Sequence, residues 1–300
     1  MKNIIKIIIL LILLICLIIF SNEIMISIDF SLNVFKTSIF PSLFPFFVIS
    51  SLLINYGLVE LLSKNLNFLM TKIFKTNSNN SFVFVMSILS GFPSSAKYAH
   101  LLLNNGQIDE RDVNKIILFS HFSNPLFILT TLSNSFLKNK NVGYLILFAH
   151  YIGNIIIGLL FRNYNISYIS KNNISSKKPL NFGLALTNSI KGAIDSLLLI
   201  LGTMTTFIVL TTIFNKIIPI NHLTKSILNG LFELTQGLKS ISMLNIPLRY
   251  KSSICSFLIS FGSLSVHAQV LSLVKIKYSN YLICRILHGL ISFLITFLLF

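Results

Sequence analysis

Long apolar runs follow one another along almost the whole chain, separated by short polar segments. Ile4–Phe20, Val142–Phe161 and Tyr281–Phe300 are typical of these runs. An apolar run of about 18 residues or more is long enough to cross the hydrocarbon core of a bilayer as a helix. Because the runs are continuous and do not alternate between apolar and polar residues, they favour helices over a transmembrane barrel. We therefore expect an all-α fold, a polytopic helical membrane protein.

The charge content agrees with a membrane location. Charged residues make up 11% of the 300 residues, whereas soluble domains carry about 25%. The chain has 24 Lys and Arg against 8 Asp and Glu, a formal net charge of +16. The basic residues are scattered between apolar runs and form no dense patch. They therefore fit cytoplasmic loops and lipid headgroups, and we expect membrane lipids and no nucleic acid as partners.

The first part of the chain predicts an anchor, a kinked span and a surface helix. Ile4–Phe20 follows two lysines and no cleavage pattern comes after it, so we expect an uncleaved helix with a cytoplasmic N-terminus. Thr37–Ile54 contains FPSLFPFF, and its two prolines predict a kink. Leu58–Phe74 mixes apolar residues with Glu60 and two lysines, which is typical of an amphipathic helix on the membrane surface.

Four apolar runs are interrupted by polar or helix-breaking residues. They are Phe82–Leu103, Ile116–Leu132, Ile227–Leu244 and Ile254–Val274. A broken helix is tolerated in a bilayer only where its freed backbone groups are buried in protein or line water, so these runs predict a site. The basic segment Arg162–Pro179 should be cytoplasmic. Counting every run as a full crossing puts that segment on the wrong side, so we expect one run to be re-entrant, without identifying it.

The interruptions recur at a fixed distance. Gly91 and Gly230 are 139 residues apart, and so are Phe122 and Phe261. The match is one of layout and predicts two structural repeats, as in many secondary transporters. The domains expected are an N-terminal transmembrane helix (1–30), a first repeat (31–165), a polar linker (166–182) and a second repeat (183–300).

The polar residues in these breaks are the candidate site. For contact with a substrate we select Ser94, Lys97, Asn124, Glu233, Ser263 and Gln269. As helix breaks we select Gly91, Pro93, Pro125, Gly237 and Gly262. Glu233 and His267 are candidates for coupling to a proton or a cation. The alternative is that these groups only hold helices together, Glu233 by a salt bridge to Lys97 or Lys239 and Gln269 by interhelical hydrogen bonds.

Other kinds of chemistry have no support in the sequence. There is no HExxH, phosphate-binding loop, GxSxG or metal-spaced Cys/His group. Cys16, Cys255 and Cys284 all lie in apolar runs and form no CxxC pair. We therefore expect no catalytic residue, no metal and no cofactor, and a protein that is not an enzyme.

Five motifs, taken in order, resemble a known family. LSGFPSSAK, HFSNPLF, AHYIGN, GLFELTQGL and SFGSLSVHAQ, spread over about residues 35 to 290, are similar to those of YlbJ-type sporulation integral membrane proteins. That family carries the Gate domain also found in nucleoside transporters and in the membrane part of ferrous-iron transporters. Its first break usually reads GYP-x-GAK, and here Ser95 stands in place of the last glycine.

The resemblance implies a role in a sporulating Gram-positive bacterium, in building the spore and its cortex. It implies a multi-pass protein of the cell membrane, in the forespore or the mother cell, with a homo-oligomer or other sporulation membrane proteins as partners. Two hypotheses remain open. The protein moves a small polar solute through a site between two Gate-type repeats, or it is a non-transporting scaffold of the spore-assembly machinery.

Overall fold

The computed structural model describes residues 2–165 and 180–300, and this part of the chain is helical without any strand. The α-helices are α1 (Lys2–Ile19), α2 (Ser21–Val34), α3 (Phe40–Asn55), α4 (Leu58–Asn65), α5 (Asn80–Ser90), α6 (Ser94–Asn104), α7 (Glu110–Phe119), α8 (Lys140–Leu160), α9 (Phe182–Ile217), α10 (His222–Phe232), α11 (Leu234–Met243), α12 (Leu248–Phe261), α13 (Ser263–Leu273) and α14 (Tyr278–Leu299). Three π-helical segments, Phe35–Ile39, Leu69–Ile73 and Phe127–Leu137, lie between them. The expected linker 166–182 lies outside the described residues, apart from residues 180–182.

Five helices in the described part are long and apolar enough to cross a membrane. They are Ser21–Asn55, Lys140–Leu160, Phe182–Ile217, Leu248–Leu273 and Tyr278–Leu299. The prediction of an all-α, polytopic membrane protein is thereby confirmed. Helix α1 is an apolar helix of 18 residues, and its side chains are almost all exposed, as expected for a helix that faces lipid.

The span expected at Thr37–Ile54 is part of a longer helix. The chain is helical without interruption from Ser21 to Asn55, and the π-helical segment Phe35–Ile39 ends two residues before Pro41, the first of the two prolines. A π-helical segment changes the hydrogen-bond register, which is one way for a helix to continue past a proline, whose nitrogen cannot donate. The prolines therefore distort this helix and do not begin a separate one.

Two interrupted runs are helical hairpins. In the second hairpin, α10–α11, Gly237 lies directly against the backbone of Gly230. In the first hairpin, α5–α6, the Phe82 and Tyr98 rings are 5.5 Å apart. Each of these pairs joins residues on opposite sides of a break, so the chain reverses direction there and the two arms pack together. Two runs therefore turn back, where the sequence analysis expected one.

The other two interrupted runs, called the broken spans below, are each broken once and form no hairpin; of the two, Leu248–Leu273 is among the five apolar helices above. After α7 the chain is non-helical over residues 120–124 and becomes helical again from Pro125. Between α12 and α13, Gly262 adopts φ +87° and Ser263 adopts φ +51°. Only glycine reaches the left-handed region without strain, so Gly262 lets the helix bend at this point.

The helix bounds follow the 139-residue offset found in the sequence. Moving α8 by 139 positions gives residues 279–299, and α14 covers Tyr278–Leu299. Moving α6 gives 233–243, and α11 covers Leu234–Met243. Helices α8, α12 and α14 pack against one another, while the long helix α9 packs along α2 and α3. The second hairpin contacts both groups, α9 and α12, and α13 packs on α9.

Candidate functional site

A cavity lies where the two hairpin tips meet the two helix breaks. The space between its walls, including the part that is open to solvent, is about 590 Å³. Its polar lining consists of Ser42, Ser123, Asn124, Glu233, Thr235, Ser265 and Gln269. Apolar side chains complete it, among them Phe92, Phe127 and Met204. The lining therefore comes from both hairpins, both broken spans and the long helices α3 and α9.

The tip of the first hairpin is fastened to the first break. The backbone amide of Phe92 donates to the carbonyl of Phe122, with 2.6 Å between nitrogen and oxygen. Gly91, at φ +79°, lies against the backbone of Asn124 so closely that a Cβ atom would collide with it. Glycine is required there because backbone cannot move aside for a side chain. This contact brings Phe92 and Asn124 to the same wall of the cavity.

Asn124 has structural hydrogen bonds on both ends of its amide. Its Oδ1 accepts from the amide of Leu126 at 2.8 Å, and its Nδ2 donates to the carbonyl of Ser90 at 3.3 Å. The first bond caps the helix that restarts at Pro125, and the second joins the break to α5. Asn124 is therefore held rigidly where it faces the cavity.

Glu233 forms the tip of the second hairpin. Its two carboxylate oxygens accept from the amides of Thr235 at 3.1 Å and Gln236 at 2.8 Å, so it caps the N-terminus of α11. A negative side chain at this end of a helix is stabilised by the amides and the helix dipole. Glu233 is buried, and it is the one acidic or basic side chain among the residues that line the cavity.

Gln269 and Ser265 approach from α13, beyond the second break. The Nε2 of Gln269 donates to the Oγ1 of Thr203 at 2.9 Å, which leaves its carbonyl oxygen as the acceptor that can face a solute. The hydroxyl of Ser265 lies 2.9 Å from that of Ser263. The wall from α13 therefore offers both a hydroxyl and an amide.

The structure brings three of the six expected contact residues to the cavity, Asn124, Glu233 and Gln269. The other three do not line it. Ser94 donates its hydroxyl to the carbonyl of Gly91, and Ser263 pairs with Ser265. Lys97 points towards α9, where its Nζ donates to the carbonyl of Gly192 at 3.0 Å, and it lies 4.1 Å from the centre of the Phe47 ring.

The expected salt-bridge partners of Glu233 are engaged elsewhere. Lys97 contacts Gly192, and Lys239 lies 4.8 Å from the centre of the Phe30 ring. Within residues 2–165 and 180–300, the ion pair that is present joins Lys216 and Glu23 at 2.6 Å. Interhelical hydrogen bonding, the alternative for Gln269, does occur through Thr203.

His267, expected to help in coupling, lies outside the lining. Its Nε2 donates to the carbonyl of Phe261 at 2.9 Å, and its Nδ1 lies 3.3 Å from the hydroxyl of Tyr278. The carbonyl can only accept, so the proton is on Nε2 and Nδ1 accepts from the tyrosine. These contacts connect α13 to α14.

Four of the five residues predicted to break a helix lie where a helix is broken, and the prediction for the fifth is wrong. Gly91 and Pro93 lie between α5 and α6, Pro125 restarts a helix, and Gly262 lies between α12 and α13. Gly237 instead lies inside α11, and the break is at Glu233. The absence of a side chain at Gly237 serves close packing against Gly230, so the glycine does not end the helix.

Four lining hydroxyls were not among the selected residues: Ser42, Ser123, Thr235 and Ser265. Three of them are within two residues of a selected residue in the sequence, so the breaks themselves were the signal. Ser42 lies in the FPSLFPFF segment and carries no such signal. In the described part of the chain, no group of three His, Cys, Asp or Glu residues is arranged to hold a metal ion.

Comparison with known proteins supports the resemblance. Residues 37–140 match the family model of the Gate domain, described as nucleoside recognition. The chain is 29% identical to the sporulation integral membrane protein YlbJ of Bacillus subtilis (strain 168), and the alignment covers 87% of this chain and 74% of that protein. No solved structure matches. The similarity to YlbJ-type proteins and to the Gate domain is thereby confirmed.

Proposed function

We propose that this membrane protein, similar to YlbJ and with a Gate-domain match in its first half, binds a small polar solute in the cavity and carries it across the membrane during spore formation. The observation that carries the proposal is the composition of the lining. Hairpin tips and helix breaks from both halves of the chain meet at one cavity. In secondary transporters, discontinuous helices at a repeat interface form the substrate site.

The lining defines the kind of solute. The amides and hydroxyls of Asn124, Thr235 and Gln269 offer both donors and acceptors, and the Phe92 and Phe127 side chains offer apolar contacts. Sites for small molecules generally combine a largely apolar lining with a few well-placed polar groups, as this cavity does. The solute is therefore a compact polar metabolite, and we expect Glu233 to couple its movement to a cation or a proton.

Two hairpins that turn back suit a mechanism of alternating access. With a cytoplasmic N-terminus and six crossings after α1, the broken run from α7 included, the first hairpin enters from the cytoplasmic side and the second from the opposite side. The two halves, 31–165 and 183–300, then have inverted topology. Rocking of one half against the other would open the cavity to each side in turn.

The alternative is a membrane scaffold for the spore-assembly machinery, either as a homo-oligomer or with other sporulation membrane proteins. One observation favours it. Both carboxylate oxygens of Glu233 and both ends of the Asn124 amide already have partners within the protein. A scaffold would use them in the same way. Neither role requires a catalytic residue or a cofactor.

The test is binding of solutes to the purified full chain in detergent, measured as a change in thermal unfolding. The panel contains nucleosides, nucleobases, amino acids, dipicolinate, cell-wall precursors, and monovalent and divalent cations. A ligand that binds only the folded protein, at 100 times its dissociation constant, adds about 2.7 kcal/mol of stability. We expect at least one class of solute to raise the unfolding temperature. If none does in the parent protein, the scaffold is favoured.

Glu233→Ala tests whether the solute binds in the cavity, and Asn221→Ala is its matched control. Asn221 caps α10 of the same hairpin through the amide of Thr224 at 2.8 Å, and it is exposed. Both changes remove a cap and cost about 1 kcal/mol of stability. Only Glu233→Ala should also abolish the solute-dependent stabilisation. Equal retention of that stabilisation in both variants would contradict the assignment of the cavity.

A further inference from the structure

A cluster of buried polar side chains lies behind the first helix break, outside the cavity lining. It comes from α8 and α14, the helices related by the 139-residue offset. Its members are His150, Asn154, Tyr281, Arg285 and His288, and none of them has any exposed surface. Neither the proposed solute site nor the family comparison assigns a role to this cluster.

These side chains bind the backbone groups that the break leaves free. The guanidinium of Arg285 donates to the carbonyl of Leu118 in the last turn of α7. Asn154 Nδ2 donates to the carbonyl of His121 at 2.6 Å. The amide of Ser123 donates to Nε2 of His150 at 2.8 Å. An unpaired backbone group at membrane depth is costly, so these contacts hold the non-helical segment 120–124 in place.

His150 is bound through both of its ring nitrogens. Because Nε2 accepts from the Ser123 amide, it carries no proton, and the proton of the neutral ring is on Nδ1. Nδ1 then donates to the hydroxyl of Ser260 at 2.8 Å. Only this tautomer satisfies both contacts.

The neighbours of His150 fix the position of its ring. His288 Nε2 donates to the backbone carbonyl of His150 at 2.8 Å, and the two rings stack with centres 4.8 Å apart. Arg285 can only donate, so its contact with His288 Nδ1 at 3.0 Å fixes the tautomer of His288 as well. The ring of His150 therefore has one orientation and one protonation state.

We propose that His150 is a positioning residue that holds both helix breaks beside the solute cavity, each through a separate ring nitrogen. One ring nitrogen holds Ser123, which lines the cavity in the first break. The other holds Ser260, two residues before Gly262 in the second break. The role in solute binding rests on the proposed function, whereas the anchoring of the two breaks does not.

Two substitutions separate the two contacts. In His150→Gln the side-chain amide can reach the position of Nε2, which keeps an acceptor for Ser123 and loses the bond to Ser260. In His150→Asn it reaches the position of Nδ1, which keeps the bond to Ser260 and loses the one to Ser123. Ser260→Ala is the matched control, because it removes the same bond as His150→Gln and leaves the imidazole unchanged.

The measurement is amide hydrogen exchange of the full chain in detergent, read by mass spectrometry for residues 120–124 and 258–264. Loss of one hydrogen bond should speed exchange about fivefold. We expect this at 120–124 in His150→Asn, and at 258–264 in both His150→Gln and Ser260→Ala. In each case the exchange rate of the other segment should stay within about twofold of its rate in the parent protein.

The proposal is overturned if His150→Asn and His150→Gln loosen the same segment, because loss of packing alone would do that. It is also overturned if neither variant loosens either segment. If both fail to fold, Ser260→Ala decides, and unchanged exchange at 258–264 would contradict the anchoring of the second break by His150. The experiment uses no solute, so a failure of the solute panel leaves its outcome intact.

Discussion

At the scale of single residues, the least usual side chain is Arg285. It is completely buried, and among the described residues no carboxylate lies within ion-pair distance of its guanidinium. A carbonyl and a neutral histidine, together with the face of the Tyr281 ring 5.5 Å away, take the place of an acid. The planar group with five donors can reach Leu118 and His288 at once, which an ammonium group cannot do with the same geometry.

We therefore expect Arg285→Lys to be almost as harmful as Arg285→Met. Both should lower the free energy of unfolding by about 2 kcal/mol or more, because buried backbone groups lose their partner. Arg249→Met is the control. Arg249 also donates to a carbonyl, that of Phe297, and lies over the Phe297 ring, but it is only partly buried. Thermal unfolding in detergent measures all three. Full rescue by lysine would contradict this account.

Lys97 tests which of the expected contact residues belong to the site. Lys97→Met removes a hydrogen bond to Gly192 and a cation–π contact with Phe47, which together contribute about 1–3 kcal/mol. We expect a lower unfolding temperature and an unchanged stabilisation by the solute that the panel identifies. Loss of that stabilisation in a folded Lys97→Met protein would return Lys97 to the site.

These residues also mark how far the sequence could lead. Polar groups inside apolar runs are costly in a membrane, so their presence indicated where the chain breaks, and three of them line the cavity. The sequence could not separate Glu233 from Lys97, because the direction of a side chain depends on how its helix is rotated against its neighbours. Arg285 and His150 were missed since they lie in runs that read as ordinary spans.

At the scale of elements, the second hairpin depends on two glycines. Gly237 of α11 lies against the backbone of Gly230 in α10, and Gly230 in turn lies against the side chain of Leu258. Helices in a membrane associate through close packing of small residues, which lets their backbones approach. Glycine in this sequence therefore has two roles, bending the chain at Gly262 and joining two helices at Gly237, and spacing alone does not distinguish them.

Gly237→Ala should destabilise the protein, although alanine normally favours a helix over glycine by about 1 kcal/mol. The added methyl group would meet the backbone of Gly230, which cannot move without separating the two arms. Gly202→Ala is the control, because that helical glycine of α9 has open space around it. We expect Gly202→Ala to keep or raise the unfolding temperature and Gly237→Ala to lower it. The same small change of the unfolding temperature in both variants would exclude close packing as the reason why glycine is needed at Gly237.

At the scale of the whole molecule, the two hairpins determine the sidedness of the chain. Between Glu110 and Asn245 the chain contains the broken span from α7, then α8, α9 and the second hairpin. If the hairpin turns back, there are three crossings and these residues lie on opposite sides of the membrane. If it crosses, there are four and they lie on the same side. Because the first hairpin also turns back, four crossings precede Arg162–Pro179, and this even count places the segment on the same side as a cytoplasmic N-terminus.

We predict that Glu110 and Asn245 lie on opposite sides of the membrane. Both positions are exposed, so Glu110→Cys and Asn245→Cys are suitable for labelling with a membrane-impermeant maleimide on intact cells. With a cytoplasmic N-terminus, Asn245→Cys should react on intact cells and Glu110→Cys only after permeabilisation. Labelling of both from the same side would mean that α10–α11 crosses the membrane.

The most direct test of the whole account is whether water-borne reagents reach the cavity. It compares Ser265→Cys, which lines the cavity, with Ser253→Cys, a serine of α12 that is equally buried but does not. Both are made in a protein that carries Cys16→Ala, Cys255→Ala and Cys284→Ala. We predict that a charged thiol reagent modifies Ser265→Cys about tenfold faster or more than Ser253→Cys, because reaction requires access from water. Equally slow modification of both would contradict a solute site and leave a sealed, structural core.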